Sequence, residues 1–341
     1  MIEIVALSDA MREAVGLAER VAPTDANVLV TGESGAGKDA LAWFIHAHSQ
    51  RASQSLVKID CATLPADLLE AELFGYERGA FTGATEAKPG RFEAAHRGTL
   101  VLDEIAHLTS NAQAKLLRVI ETRRFERLGG RETIEVDARL VALTNADLKS
   151  AVERRAFRDD LFYRLNVVHI IVPPLRERGK DLETLGRVFV QAYAAKHGRP
   201  AKRLSAEALT LLRAYDFPGN VREFGNIIER AVIVSNDAQI AVEDLPEGLR
   251  AAAQQRAQRD RKPTLAEIES EYIRETLVVT KGNKAEAARI LGISRKNLYE
   301  RLAREKTEVR DQKSEVRDQR WRRLTTRNEW RARLKAKRCE F

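Results

Sequence analysis

Between Gly32 and Asp39 the chain reads Gly32-Glu33-Ser34-Gly35-Ala36-Gly37-Lys38-Asp39. Up to its last position this fits the phosphate-loop pattern G-x-x-x-x-G-K. Three glycines let the backbone curl until successive N–H groups face one anion. Lys38 adds a point charge at a helix start, where anions are already favoured. The chemistry expected is binding of a nucleotide's phosphates. Further on, the apolar run Leu100-Val101-Leu102 ends in Asp103 and Glu104. In a nucleotide hydrolase the first carboxylate would hold Mg²⁺ through water and the second would polarise the attacking water. The loop pattern usually ends in Ser or Thr, whose hydroxyl reaches Mg²⁺; here it ends in Asp39. The metal expectation therefore falls on Asp103, with Asp39 and water beside it.

Two other stretches carry residue types that suit recognition. Gly79-Ala80-Phe81-Thr82-Gly83-Ala84 sets two glycines around one large aromatic. A glycine-hinged loop is usually polar at its tip, so Phe81 either tucks back into the core or is displayed to a partner. Lys281 to Arg304 reads as helix, tight turn at Gly292 and second helix capped by Ser294. Arg295, Lys296, Asn297, Tyr299 and Arg301 lie on or near the front of that second helix. Arg and Asn near such a helix start can read guanine and adenine edges, and lysines can meet phosphates.

The elements that must position these groups follow from periodicity. Val28–Thr31, Leu56–Asp60, Thr99–Leu102, Arg139–Thr144 and 167–172 read as strands. Lys38–Ser49, Ala66–Phe74, Asn111–Glu121 and Ala156–Leu165 read as helices. Strands alternating with helices predict a parallel sheet covered on both faces. After Pro173-Pro174 the pattern is helical only: Asp181–Lys196, a helix capped by Ser205, and Val221–Val234. The expected organisation is an α/β unit over 1–172, a helical lid over 173–248, a linker over 249–263, an all-α helix-turn-helix over 264–304 and a basic tail over 305–341. That tail repeats TEVRDQK as SEVRDQR at 307–320, without the apolar seam of a coiled coil.

Composition narrows the class. The net charge of +8 is uneven. Residues 1–248 hold 32 basic and 36 acidic side chains, net −4; residues 249–341 hold 26 and 14, net +12. A basic C-terminal part suits a polyanion. Two distant cysteines, Cys61 and Cys339, make no disulfide framework. No signal peptide is legible and no apolar run approaches the roughly 18 residues of a membrane span. The expected location is the cytoplasm.

Together the segments VLVTGESGAGKDALA, ELFGYERGAFTGA, KPGRFEAAHRGTLVLDEI, QAKLLRVIE, FRDDLFYRLNVV, PPLRER and FPGNVREFGNIIERAV resemble one family. It is that of the bacterial enhancer-binding proteins, the sigma-54-dependent transcription activators of the AAA+ superfamily. The resemblance runs from about Ser8 to Arg304, and the end of the chain resembles their Fis-type helix-turn-helix. The GAFTGA hexapeptide is the family's hallmark, and in this family an acidic residue such as Asp39 commonly ends the phosphate loop.

The resemblance implies an AAA+ ATPase that uses ATP and Mg²⁺ and assembles as a homo-oligomer, a hexamer on nucleotide binding. Its implied partners are the sigma-54 RNA polymerase holoenzyme and enhancer DNA. The GAFTGA loop would touch sigma-54, with Gly79 and Gly83 as hinges, Phe81 as the contact and Thr82 in support. Asn145 matches the sensor that reads the γ-phosphate, Arg158 and Arg164 match arginine fingers acting in trans, and Arg222 matches the lid's sensor. Asp60 stands where the family usually has an Asn that orients the Glu104 carboxylate. Repulsion between Asp60 and Glu104 is therefore expected to alter turnover or its coupling to the loop. The helix Leu265–Val279 is expected to make a dimer contact, so that two copies read a palindromic site. The short stretch before the phosphate loop leads to the expectation that control arrives in trans, from expression level or from the DNA arrangement.

Overall fold

The computed structural model describes residues 4–200, 202–252, 265–280 and 282–302. The chain divides into two compact units between residues 258 and 259. In the first, β1 (Val28–Thr31), β2 (Leu56–Asp60), β3 (Thr99–Asp103), β6 (Arg139–Thr144) and β7 (Val168–Ile171) form one sheet in the order β2-β3-β6-β1-β7. Every pairing in it is parallel. Two-residue alternation splits its side chains. Leu29, Leu100, Leu102, Leu140 and Ala142 face one core, under α3 (Ala66–Phe74), α4 (Arg91–Ala94), α5 (Ser110–Thr122), α6 (Leu148–Glu153) and α7 (Asp159–Leu165). Val28, Val30, Val101, Val141 and Leu143 face the other, under α1 (Asp9–Val21) and α2 (Lys38–Ala47). The central strand β6 is buried at all six positions, as a sheet covered on both faces requires.

All-parallel pairing places every strand's C-terminal end at one edge. Gly32, Asp60, Glu104 and Asn145 each follow or close a strand there, which is where open α/β sheets bind ligands. In the α/β layer, α1, α4, α6 and an antiparallel hairpin of β4 (Arg124–Glu126) and β5 (Thr133–Glu135) were not legible in the sequence; α4 has only four residues, and the hairpin's short strands carry no clear alternation. The helix expected from Ala156 starts instead at Asp159, because Arg158 is extended, at ψ 135°, and caps it.

A helical layer follows, built on α8 (Gly179–Lys196), α9 (Ala206–Arg213) and α10 (Asn220–Val234), with a two-residue strand pair, β8 (Arg203–Leu204) and β9 (Gln239–Ile240). Its core holds Leu175, Leu182, Phe217, Phe224 and Ile228. The second unit contains helices Leu265–Val279, Lys284–Ile290 and 295–302 around Ile273, Ala287, Ala288 and Leu298. The linker expected over 249–263 lies largely, and the 305–341 tail with its repeat wholly, outside the described residues. Among the described residues, no helix is long and apolar enough to cross a membrane.

Candidate functional site

The phosphate loop leaves β1 with Gly32, Gly35 and Gly37 at positive φ. Gly35 also needs its missing side chain for space, since a Cβ there would stand 2.4 Å from the Gly219 carbonyl. Lys38 opens α2, is buried, and donates to the Gly32 and Glu33 carbonyls at 2.9 and 3.3 Å. Burial pulls its ammonium below the usual lysine range, while Glu104, Asp103 and Asp39 oppose the shift. Glu104 Oε1 lies 3.9 Å from the Lys38 ammonium. Glu104 is itself left-handed at φ 51°, a conformation rare outside glycine and common at working sites. Its Oε2 accepts the Asn145 backbone N–H at 3.3 Å, tying the expected sensor to the carboxylate.

Ser34, Gly35, Gly37, Lys38, Asp39, Asp103, Glu104, Val221 and Arg222 line one cleft of about 170 Å³. Arg222 reaches Ser34 Oγ at 3.0 Å from the start of α10. The helical layer in fact grips four successive loop residues. Arg176 forks onto Glu33 at 2.7 and 2.9 Å, and Asn220 donates to Glu33 at 3.0 Å and to the Ser34 carbonyl at 3.1 Å. The Val221 and Arg222 amides donate to the Gly35 carbonyl at 3.0 and 3.3 Å, and Arg178 donates to the Ala36 carbonyl at 3.3 Å. The bonds from Arg176 and Asn220 hold Glu33 down at about 2. Arg178 also pairs with the fully buried Asp181, which accepts the Leu7 and Ser8 amides at 2.6 and 2.7 Å. Sequence reasoning missed Arg176, Arg178, Asp181 and Asn220, whose partners lie far along the chain.

It missed Lys58 too. From the middle of β2 this lysine reaches Asp39 at 2.5 Å and Asp103 at 2.7 Å. Burial would lower its pKa, but the Asp103 and Asp39 bonds outweigh that and raise it. A charged residue inside the run Leu56-Val57-Lys58-Ile59 was the available signal.

Not every expected group converges. Asp60 turns into its own bend, accepting the Ala62 amide at 2.9 Å, while the Cys61 amide is held by the Asp103 carbonyl. Asp60 is thus held by a different amide from Glu104, whose Oε2 takes that of Asn145. Its field is felt at buried Cys61, whose thiol is pushed up to about 12, first by burial and then by Asp60, Asp103 and Glu104. Arg158 forks onto its neighbour Asp160 at 2.7 and 3.0 Å, and Arg164 lies 3.3 Å from Glu121. Both are exposed and neither lines the cleft of its own chain.

The aromatic loop is built on conformation rather than space. Gly79 and Gly83 have φ of 82° and 102°, and a Cβ at either would meet nothing within 4 Å. Phe81 is neither swallowed nor free: it is 39% exposed, with its ring centroid 4.9 Å from that of Tyr76. The loop base is stitched to the β4–β5 turn by Glu77 N to Leu128 O at 2.9 Å. Arg127 of that turn pairs with Glu77 at 2.9 Å and with Glu93 of α4 at 2.7 Å.

In the second unit, Asn283 caps one helix and Gly292, at φ 66°, makes the turn. Ser294 accepts the Asn297 amide at 3.2 Å and so caps 295–302. Arg295, Lys296, Asn297 and Tyr299 are exposed, and Lys284 stands over the Tyr299 ring at 4.8 Å. Arg301 is half-buried and paired with Glu269 of the preceding helix.

The sequence matches the family described as Sigma-54 interaction domain over residues 4–171. It also matches AAA+ ATPase lid domain over 176–262 and Bacterial regulatory protein, Fis family, over 264–304. It is 43% identical over 307 residues to Regulatory protein AtoC of Escherichia coli (strain K12), covering 88% of this chain and 67% of AtoC. The chain belongs to the sigma-54-dependent transcriptional activators. Nitrogen fixation protein AnfA of Azotobacter vinelandii is 45% identical to this activator over 303 residues, covering 88% of it and 57% of AnfA. Relative to these two relatives, the activator spans about two thirds of one and just over half of the other. NtrX from Brucella abortus, solved in complex with ADP, superposes with a TM-score of 0.67 at 33% identity, covering 89% of the activator and 69% of NtrX. NtrX has also been solved in complex with ATP. The five-stranded parallel sheet is the AAA+ fold, followed by its helical lid and a Fis-type helix-turn-helix that binds DNA.

Proposed function

We propose that this activator hydrolyses ATP in a ring of identical copies and uses the cycle to drive Phe81 against sigma-54, converting a closed promoter complex into an open one. The observation that carries the reading is one chain of contacts. Phe81 stands on a loop whose base is held by Arg127, Arg127 holds Glu93, and α4 leads directly into β3, which delivers Asp103 and Glu104. A change in phosphate occupancy at the end of β3 thus has a short mechanical route to the loop.

In this reading Gly32–Asp39 cradles the phosphates through backbone amides and the Lys38 ammonium. Asp103 and Asp39 suit a hard divalent cation, being oxygen donors that reach one common ammonium, and they would hold Mg²⁺, which supplies charge neutralisation at the phosphates. Glu104 polarises the attacking water, with Asn145 beside it and Arg222 reaching in from the lid. Arg158 and Arg164 lie away from their own cleft, which suits fingers offered to a neighbouring copy's γ-phosphate. Ser294, Arg295, Lys296, Asn297 and Tyr299 present the DNA-reading face, and Arg301 braces it. Dimerisation through Leu265–Val279 would let two copies read an enhancer palindrome.

The test is sigma-54 capture. Glu104→Gln with ATP should retain sigma-54 on the activator, and adding Phe81→Ala should release it while ATP binding stays. Retention that is indifferent to Phe81 or to nucleotide would overturn the reading.

A further inference from the structure

The cleft that receives the phosphates has an unfavourable charge count of its own. Its lining includes two cations, Lys38 and Arg222, against three carboxylates, Asp39, Asp103 and Glu104. That is a net −1 facing a polyanion. The surplus traces to Asp39, since phosphate loops generally carry a neutral hydroxyl there. A carboxylate on the first turn of α2 repels the phosphates that the loop amides and helix terminus attract.

Lys58 answers this charge. It pairs in register with Val101, two residues before Asp103, yet its side chain reaches the sheet's C-terminal edge. There the ammonium contacts Asp39 Oδ1 at 2.5 Å and Asp103 Oδ2 at 2.7 Å. It does so at about one-third exposure, where a charge pair is only partly screened. With Lys58 counted, the site's formal charge returns to zero.

We infer that Lys58 is a positioning residue for the nucleotide: its ammonium, set between Asp39 and Asp103, offsets the extra carboxylate of Asp39, so that a triphosphate is tolerated beside an acidic loop end. The inference rests on the nucleotide-site reading and adds a residue to it. It also makes Asp39 and Lys58 a dependent pair, so removing the cation harms binding only while the carboxylate remains.

The experiment is a double-mutant cycle on the full chain. It reads equilibrium binding of a fluorescent non-hydrolysable ATP analogue, once with a chelator and once with Mg²⁺. With chelator, Lys58→Met is expected to weaken binding about tenfold, the scale of losing one partly screened charge near the phosphates. Lys58→Arg should stay within about twofold of the parent, which separates charge from folding. Asp39→Ser/Lys58→Met should return close to the parent, because a hydroxyl needs no counter-charge. With Mg²⁺, Lys58→Met should need less metal to reach half-saturation, because Asp39 and Asp103 are then free of the competing ammonium. An equal loss from Lys58→Met in the Asp39→Ser background, or no loss from it in either, would overturn the inference. If the parent itself fails to bind the analogue, the nucleotide-site reading falls first; if it binds and the two changes are merely additive, only the role of Lys58 falls.

Discussion

Replacing Asn220 by Ala tests the joint between lid and phosphate loop. Asn220 is fully buried and left-handed at φ 52°. Its Oδ1 accepts the amide of fully buried Leu175 at 2.8 Å, and its Nδ2 donates to Glu33 and the Ser34 carbonyl. Alanine strands the Leu175 N–H away from water, which costs about 1–2 kcal/mol. It also puts a Cβ residue without Asn's local compensation into the left-handed region, for about 1 kcal/mol more. The total is about 2–3 kcal/mol, or roughly 4–12 °C in Tm for a unit of this size. Asn220→Gly removes the hydrogen bonds but tolerates the backbone, so it should lose only about 1–2 kcal/mol. Urea denaturation followed by fluorescence, alongside nucleotide titration, measures both. Equal losses for Ala and Gly would refute the backbone argument. Losses below about 0.5 kcal/mol for both would refute the joint itself.

Arg127→Met should leave ATP turnover within about threefold of the parent while abolishing promoter opening, because it cuts Glu77 from Glu93; parallel ATPase and opening assays check this. Mixing Glu104→Gln copies with Arg164→Ala copies should recover part of the turnover that each lacks alone, since each could then supply what its neighbour lost. Recovery absent at every mixing ratio would argue against fingers acting in trans. Cys61, buried with its thiol pushed up to about 12, should resist iodoacetamide at pH 8.5 and react only in urea, as read by peptide mass. The sign follows from a folded pKa above the ordinary value of 9.0: the thiol's contribution to stability is whole below pH 9 and fades as pH climbs towards 12. Cys61→Ser should flatten that alkaline decline.

What could be read from the sequence was local. The glycines and Lys38 of the loop, the apolar strand ending in Asp103-Glu104 and the Gly79–Ala84 hexapeptide are each contiguous, so spacing alone exposes them. All five sheet strands were visible because buried parallel strands are apolar runs. What escaped depends on distant partners. Lys58 becomes meaningful only once β2 lies beside β3 and α2, and Asn220 only once the lid lies on Glu33. The β4–β5 hairpin that carries Arg127 has three-residue strands, too short for a period to register. The Arg301–Glu269 pair escaped for the same reason, since the two residues sit on different helices.

The most direct test of the central claim is strand opening at a sigma-54 promoter bearing this activator's enhancer, followed by reactivity of unpaired thymines with purified sigma-54 polymerase. Opening is expected with ATP, absent with a non-hydrolysable analogue, and lost in Phe81→Ala while ATP turnover survives. Opening that persists with the analogue or in Phe81→Ala would contradict it, as would no opening at all from a protein that hydrolyses ATP and binds the enhancer.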